Sequence, residues 1–367
     1  MIESGHPGSE LAGVGVHAGI VHACASTPRG VLYRSFEDDG DGSGSDGSLA
    51  PVTVLSGDFR YPSALAASAV GVYVCDTKAH CVRLIRPDGS MVDGAFCGMP
   101  GRAGYSEGRA DLSLLNRPMG IAVADGAVFI GDTFNHRVRR VGTDGRCATL
   151  AGDGGRVHRD DPHGASAAFC FPCGLDVLAN GAVAVADRDS HCIRLVDTST
   201  PDNAVRTVAG SGVAGFSDSY QPFQAAIAQF KQPMDVASDG RGGFFVADSG
   251  NGRVRFVTAD SAVFTVASGR RGEGRAHFEG MSSPRGVAVS AVAGDDVVRV
   301  YVADPTMRST RPMHFAVQRS DLLPPHLRPL KEGKAMPPVV AAPARGSIST
   351  GLGASRTYDR DSIVAAK

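Results

Sequence analysis

The chain has 367 residues, of which 43% are hydrophobic, and its formal net charge is −1. The stretch 305–367 contains ten Lys/Arg and four Asp/Glu, a net of +6, which leaves a net of −7 for residues 1–304. An acidic body argues against a broad phosphate-binding surface, because such a surface needs clustered Lys and Arg to displace counterions. No apolar run approaches the roughly 18–20 residues that span a bilayer. No secretory signal is visible at the N-terminus, so we expect a cytoplasmic protein.

The first element along the chain is a degenerate copy of a repeat. Residues 13–25 align without gaps on residues 120–132, and residues 52–55 would supply a fourth strand. Ala25 stands where every later copy has an aspartate. We interpret this segment as a blade that has lost its turn motif.

Five further copies follow, each with an apolar run that ends in an aspartate. The aspartates recur at steps of 56, 55, 61 and 56 residues and are Asp76, Asp132, Asp187, Asp248 and Asp304. A proline opens a strand upstream of each one, namely Pro62, Pro118, Pro172, Pro233 and Pro284. Further β-rich runs lie downstream, which gives about four short strands per repeat. The last copy, 304–311, lacks the third-strand pattern, so its third strand and the closure of the ring stay open.

Four strands per repeat, repeated radially, predict a β-propeller, because neighbouring sheets cover the faces that one sheet leaves exposed. The motif Asp132-Thr-Phe-Asn-His-Arg-Val-Arg-Arg140 resembles the NHL-repeat family, with Asn135, His136 and Arg137 at the turn that marks the family's repeat. Gly252 departs from this pattern at the His position. The resemblance implies an all-β, six-bladed propeller of NHL-type repeats, with a degenerate first blade and an atypical last blade.

The expected domain boundaries follow from the extent of the repeats. We predict a flexible N-terminus over 1–11, the propeller over 12–318, and a disordered basic tail rich in Pro, Ala and Ser over 319–367. Within the first copy, the Gly/Ser/Asp run 38–47 is similar to a calcium loop. Ala50 occupies the place that needs a bidentate Glu, so we favour a flexible acidic linker.

The repeated polar residues indicate architecture rather than chemistry. We expect each aspartate to cap its own hairpin turn by accepting backbone N–H groups two or three residues further on. We expect the third-strand arginines to pair with carbonyls or acids between blades; they are Arg139, Arg194 and Arg255. Three turn histidines, His80, His136 and His191, invite a zinc hypothesis. Equivalent turns lie around a ring, too far apart for metal–ligand distances of roughly 2 Å, so we predict no metal site.

The remaining candidates are cysteines and channel acids. The eight cysteines are irregularly spaced, so we expect buried free thiols. Cys170 and Cys173 have redox or zinc spacing, but a strand rather than a helix follows them. Asp176 and Asp235 lie on first strands, which line the central channel. Without His, Glu or Asn partners they indicate polar packing of the channel wall, so we predict no catalytic residue and no cofactor.

Three functions remain open from the sequence. The first is a non-enzymatic protein-interaction scaffold with an unidentified protein partner, since the loops before the repeat prolines differ in length and composition. The second is RNA binding, which the acidic body disfavours although arginines cluster in one repeat. The third is a metal-dependent hydrolase or lyase, a class that six-bladed propellers also include.

Overall fold

A computed structural model gives the conformation of residues 10–17, 20–27, 30–37, 53–55, 59–290, 296–307 and 313–322. The acidic run 38–47 and residues 323–367 of the predicted tail lie outside these ranges, so their predicted disorder stays a prediction. Within the described residues, all helices are short 3-10 turns and none could cross a membrane. These turns are Thr77–Ala79, Ala110–Leu112, Thr133–Asn135, Gly164–Ser166, Arg188–Ser190, Ala225–Ile227, Ser249–Asn251, Pro305–Met307 and Arg319–Leu322.

The described strands form six sheets that follow one another along the chain. Sheet 1 contains β1 (Glu10–His17), β2 (Ile20–Thr27), β3 (Gly30–Glu37) and β4 (Thr53–Leu55). Sheet 2 contains β5 (Pro62–Ser68), β6 (Gly71–Asp76) and β7 (Cys81–Ile85). Sheet 3 contains β8 (Gly108–Arg109), β9 (Gly120–Ala124), β10 (Ala127–Asp132), β11 (Arg137–Val141) and β12 (Arg146–Ala151).

The second half of the ring repeats this arrangement. Sheet 4 contains β13 (Pro172–Val177), β14 (Val183–Asp187), β15 (Cys192–Val196) and β16 (Val205–Ala209). Sheet 5 contains β17 (Pro233–Ser238), β18 (Phe244–Asp248), β19 (Arg253–Val257), β20 (Val263–Ser268) and β21 (Ala276–His277). Sheet 6 contains β22 (Gly286–Ser290), β23 (Val297–Ala303) and β24 (Met313–Gln318).

The first strand of each repeat is the innermost strand of its sheet. β1, β5, β9, β13, β17 and β22 each contact the next one around the ring, and β22 contacts β1. The approach between the two ends is close, because a Cβ atom on Gly286 would lie 3.4 Å from the Cα atom of Gly13. The ring therefore closes by packing of these strands; among the described residues, sheets 1 and 6 share no strand.

The predicted all-β propeller is confirmed, and the expected four strands per blade are wrong for two sheets. Sheets 2 and 6 have three strands each in the described residues. Beside β7, only isolated bridges form at Met91 and Cys97. Gly94, at a φ of +77°, breaks the run between them. The atypical last copy does supply its third strand, because β24 pairs with β23 along its whole length.

The hydrophobic core is divided into layers between neighbouring sheets. Six buried clusters occur, one for each pair of adjacent sheets around the ring. A middle strand such as β14 is buried on both faces, and so it is apolar without alternation until its final Asp187. Because both faces of the sheets are buried, we expect a functional site at the two ends of the ring or in the channel.

Candidate functional site

The strand-end aspartates lie in the interior of the sheets and pair with the third-strand arginines. Asp132 and Arg139 are fully buried, with 3.0 Å between Oδ2 and Nη1. The same pair recurs as Asp76 with Arg83, Asp187 with Arg194, and Asp248 with Arg255, each at 3.0 Å. Burial raises the pKa of Asp132, and hydrogen bonds from Asn116, Asn135 and Arg139 oppose this shift.

The prediction that each aspartate caps its own turn is wrong for the first four full copies. In these copies no side-chain cap bond forms, and Oδ1 accepts a backbone N–H from far upstream. The upstream donors are the N–H groups of Arg60 (2.6 Å), Asn116 (2.7 Å), Cys170 (2.7 Å) and Lys231 (2.8 Å). Only Asp304 caps locally, accepting the N–H of Thr306 at 2.8 Å. The aspartate therefore ties the segment that enters a sheet to the sheet's second strand.

Those entering segments form straps along the outer edge of sheets 3, 4 and 5. We define the straps as residues 98–117, 152–171 and 210–232. Each strap makes β-type pairing with the fourth strand of its sheet, through β8 with β12, Asp161 with Val205, and Ser219 with Val263. The straps cover strand edges that would otherwise be open for pairing with another chain.

Each strap carries an acid that the sequence analysis missed. The acid accepts a backbone N–H from a fourth-strand threonine, in the pairs Glu107–Thr149 (2.9 Å), Asp160–Thr207 (2.9 Å) and Asp218–Thr265 (3.3 Å). Asp160 and Asp218 also form ion pairs of 2.6 Å with Arg194 and Arg255. The available signal was an acid two residues after a ring side chain, as in Tyr105-Ser-Glu107 and Phe216-Ser-Asp218.

The turn histidines connect each sheet to the next one. The Nδ1 atoms of His80, His136 and His191 accept the backbone N–H of Arg117, Phe171 and Gln232, each at 3.2 Å. Each acceptor histidine has a positive φ, as does Gly252 at the fourth equivalent position. Each donor residue directly precedes a repeat proline. The Nδ1 lone pair of each histidine therefore serves a contact between sheets.

Asn135 and Arg137 complete the turn motif. Nδ2 of Asn135 donates to Asp132 at 2.8 Å and to the carbonyl of Gly104 at 2.7 Å. Arg137 donates to the carbonyl of Asp153 at 2.6 Å, and its guanidinium lies 4.1 Å from the centroid of the Tyr105 ring. Both side chains therefore hold strap backbone in place.

The channel acids are engaged with neighbouring innermost strands. Asp176 accepts the N–H groups of Val177 (2.8 Å) and Ser238 (2.7 Å), and Asp235 accepts those of Val236 (3.0 Å) and Val287 (2.9 Å). Ser238 and Val287 belong to the next sheet around the ring. Desolvation, with a smaller contribution from the charge of Asp176, raises the pKa of Asp235 to about 8. Both acids border a channel cavity of about 150 Å³.

All eight cysteines are free, as the sequence predicts. Seven of them are buried, and Cys170 is half-buried. The Sγ atom of Cys173 donates to the carbonyl of Phe171 at 3.4 Å, and burial raises its pKa to about 12. Across the described part of the chain, no three His, Cys, Asp or Glu side chains are arranged to hold a metal ion.

The Asp-to-His turns and the ends of the straps lie at the same end of the ring, which we call the turn face. Their backbones are hydrogen-bonded, for example Phe134 N–H to Asn116 O at 3.1 Å and Asp189 N–H to Cys170 O at 3.0 Å. On this face the Phe134 and Phe171 rings meet edge to face with centroids 5.0 Å apart. Arginines from three different segments lie over them: Arg117 over Phe134 at 4.9 Å, and Arg156 and Arg188 over Phe171 at 4.6 and 4.7 Å. The sequence analysis missed this cluster, because its members are distributed over two repeats.

No protein-family model matches this sequence. The chain is 25% identical over 243 residues to NHL repeat-containing protein 2 of Bos taurus, covering 58% of this chain and 33% of that protein. The ring of repeated sheets and this relative make the chain similar to NHL-type β-propellers. The propeller is also 27% identical over 183 residues to Protein SUPPRESSOR OF QUENCHING 1, chloroplastic, of Arabidopsis thaliana, covering 47% of this chain and 17% of that protein. The chain thus spans a third or less of these relatives' lengths.

Two solved structures have the same fold at low sequence identity. An auxiliary nutrient binding protein from Bacteroides thetaiotaomicron superposes with a TM-score of 0.57 at 12% identity, covering 85% of the propeller and 70% of that chain. A gluconolactonase from Xanthomonas campestris superposes with a TM-score of 0.53 at 14% identity, covering 86% and 88%. At such identities the likeness shows the fold alone.

Proposed function

We propose that the propeller is a non-enzymatic protein-binding platform and that its partner docks on the turn face. The observation that carries this proposal is the cluster of Arg117, Arg156 and Arg188 over Phe134 and Phe171. Arginine and aromatic side chains are the residue types that most often anchor protein interfaces. We propose that the propeller has six blades, with each of the six sheets as one blade.

Hydrogen bonds between adjacent sheets hold the backbone beneath this surface in place. The histidine bonds join adjacent sheets, and Thr77 and Thr133 donate to the carbonyls of Pro118 and Pro172 at 2.8 and 2.7 Å. Both carbonyls belong to the next sheet. A surface that is held in one conformation loses little entropy on binding. The straps, which differ in sequence, supply a distinctive rim around it.

RNA binding is the second candidate, and the same arginine–aromatic contacts favour it. Single-stranded RNA needs open ring faces on which bases stack. Phe171 is only 9% exposed, and its ring already carries two guanidinium groups. This geometry favours a protein partner over RNA.

A metal-dependent enzyme is the third candidate, because a gluconolactonase shares the fold. The two channel acids are occupied by backbone N–H groups rather than aimed together at a ligand. Metal analysis of the purified protein tests this candidate: a stoichiometric ion would support it.

Affinity capture from the native cells, with and without ribonuclease, tests the platform. We expect protein partners that resist ribonuclease and that are lost when Arg117 and Arg156 are both replaced by Glu. Exposed Arg206, on β16 away from the cluster, provides the matched control R206E. Partners that disappear with ribonuclease would transfer the assignment to RNA.

A further inference from the structure

The Phe134 and Phe171 rings hold three guanidinium groups on the turn face. Phe171 has a φ of +61°, and its N–H is held by Nδ1 of His136 at 3.2 Å. Its ring packs edge to face on His136, with centroids 4.6 Å apart. The arginines that lie over the rings therefore have a supported position before any ligand arrives. We call Arg117, Arg156 and Arg188 the arginine cluster.

Positive charge exceeds negative charge at the arginine cluster. Asp189 pairs with Arg188 at 2.7 Å and with Arg156 at 3.4 Å. Arg117 forms no ion pair with any side chain that the structure describes. Burial lowers the pKa of His136, and the charge of Arg156 lowers it further, so this ring is uncharged at neutral pH. The positive charge at this place is therefore that of the arginines.

Carboxylates match the donors of this arrangement. A guanidinium presents paired N–H donors that take a carboxylate in a bidentate manner. Phe171 is 9% exposed and lies beneath two guanidinium groups, which leaves little of the open ring face on which a nucleic acid base would stack. An extended peptide strand places alternate side chains on one face at a spacing of roughly 7 Å, so successive acidic residues can reach different arginines over two rings whose centroids lie 5.0 Å apart.

We propose that the arginine cluster binds an acidic, extended segment of the partner protein, with Asp or Glu carboxylates bonded to Arg117 and to Arg156 or Arg188. This inference rests on the proposed platform function and adds the chemical class of its partner. The acidic segment contributes the charge complementarity, and the straps provide the contacts around it.

Fluorescence anisotropy with the full chain tests this inference. The probe is a labelled peptide of alternating Glu and Ser, and the control probe has Gln in place of Glu. We expect the Glu peptide to bind, the Gln peptide not to bind, and R117E/R156E to weaken binding at least about tenfold, because charge-assisted bonds are lost. R206E should bind as the wild type does. Thermal melts of R117E/R156E and of the neutral R117Q/R156Q establish that the variants are folded; the neutral pair should give intermediate binding.

Two results would overturn the inference. One is Glu-peptide binding that is absent or is unchanged in R117E/R156E. The other is an oligouridine RNA that binds more tightly than the Glu peptide and is lost in the same variant. The platform is tested separately: ribonuclease-resistant partners that R117E/R156E still captures would retain the platform and reject the arginine cluster as its acidic-peptide site, whereas the absence of ribonuclease-resistant partners would reject the platform.

Discussion

His136 and Phe171 are joined by a hydrogen bond of 3.2 Å in which the imidazole Nδ1 accepts the backbone N–H of the next sheet. The same bond forms from His80 to Arg117 and from His191 to Gln232. Sheets that share no strands are therefore connected by a side chain that belongs to the repeat motif. The turn motif that resembles the NHL repeat is also the one that joins neighbouring sheets.

Replacing His136 separates this bond from backbone strain. His136 has a φ of +55°, a conformation that costs histidine and alanine alike roughly 1 kcal/mol but costs glycine almost nothing. We expect H136A to lose about 1 kcal/mol, because it keeps the strain and loses the hydrogen bond. We expect H136G to be about as stable as the wild type, because relief of the strain offsets the lost bond. Urea unfolding measures both. Equal stabilities of H136A and the wild type would show that the bond contributes nothing.

The histidine bonds also predict a dependence on pH. Burial and the charge of Arg117 lower the pKa of His80 from 6.5, and burial, Arg156 and Arg137 lower that of His136. Between the lowered pKa of the folded protein and 6.5, the unfolded chain binds more protons than the folded chain. The stability that these histidines contribute is therefore fully present above pH 6.5 and is lost as pH falls through this window. Urea midpoints across this range should decline less in H80G/H136G. An equal decline in that variant would place the effect elsewhere.

The raised pKa of Asp235 predicts that the free energy of unfolding decreases as pH rises, which is opposite to the effect of the histidines. Its pKa rises from 3.8 to about 8 because the carboxyl is desolvated and lies near Asp176. The folded chain therefore holds this proton while the unfolded chain releases it, and stability falls as pH rises through that window. Above pH 6.5 the histidine contribution is constant, so the difference between thermal melts of D235N and the wild type there reports on Asp235. We expect a flatter profile for D235N, and an unchanged slope would contradict the assignment.

The buried ion pairs should differ in their sensitivity to loss of the aspartate. D132A leaves Arg139 buried without a carboxylate and should cost about 3–5 kcal/mol. D187A should cost less, since Arg194 keeps Asp160 at 2.6 Å. Denaturant unfolding of the two variants, side by side, measures the difference. If D187A costs as much as D132A, the strap acid does not compensate.

Cysteine reactivity tests the placement of the thiols. Cys170 is partly exposed, and the other seven cysteines are buried. Burial raises the pKa of Cys81 to about 12 and raises that of Cys192 well above its usual value, so those thiols are protonated as well as covered. Brief alkylation of the native protein, followed by peptide mapping, should label Cys170 first. Early labelling of Cys81 would show that sheet 2 opens readily.

The sequence by itself determined the repeat, its strands and the order of the sheets. In the five later copies a proline marked the start of the first strand to within two residues, and an aspartate stood at or directly after the end of the second strand, because turn chemistry and apolar runs are local signals. The degenerate first copy, which lacks the aspartate, was found by gapless alignment, and β1 and β2 pair as the alignment of 13–25 requires. Asp176 and Asp235 were also placed on first strands, and both line the channel.

Only the tertiary structure decided what the polar residues contact. Asp132 bonds to an N–H group 16 residues upstream, His136 to one 35 residues downstream, and Arg117 and Arg156 meet on rings from neighbouring sheets. A hairpin rule favours a contact two or three residues away, and it is correct only at Asp304. The other partners come within reach when the ring brings a strap and the next sheet beside the turn. Contacts between repeats depend on that closure, which a pattern within one repeat does not contain.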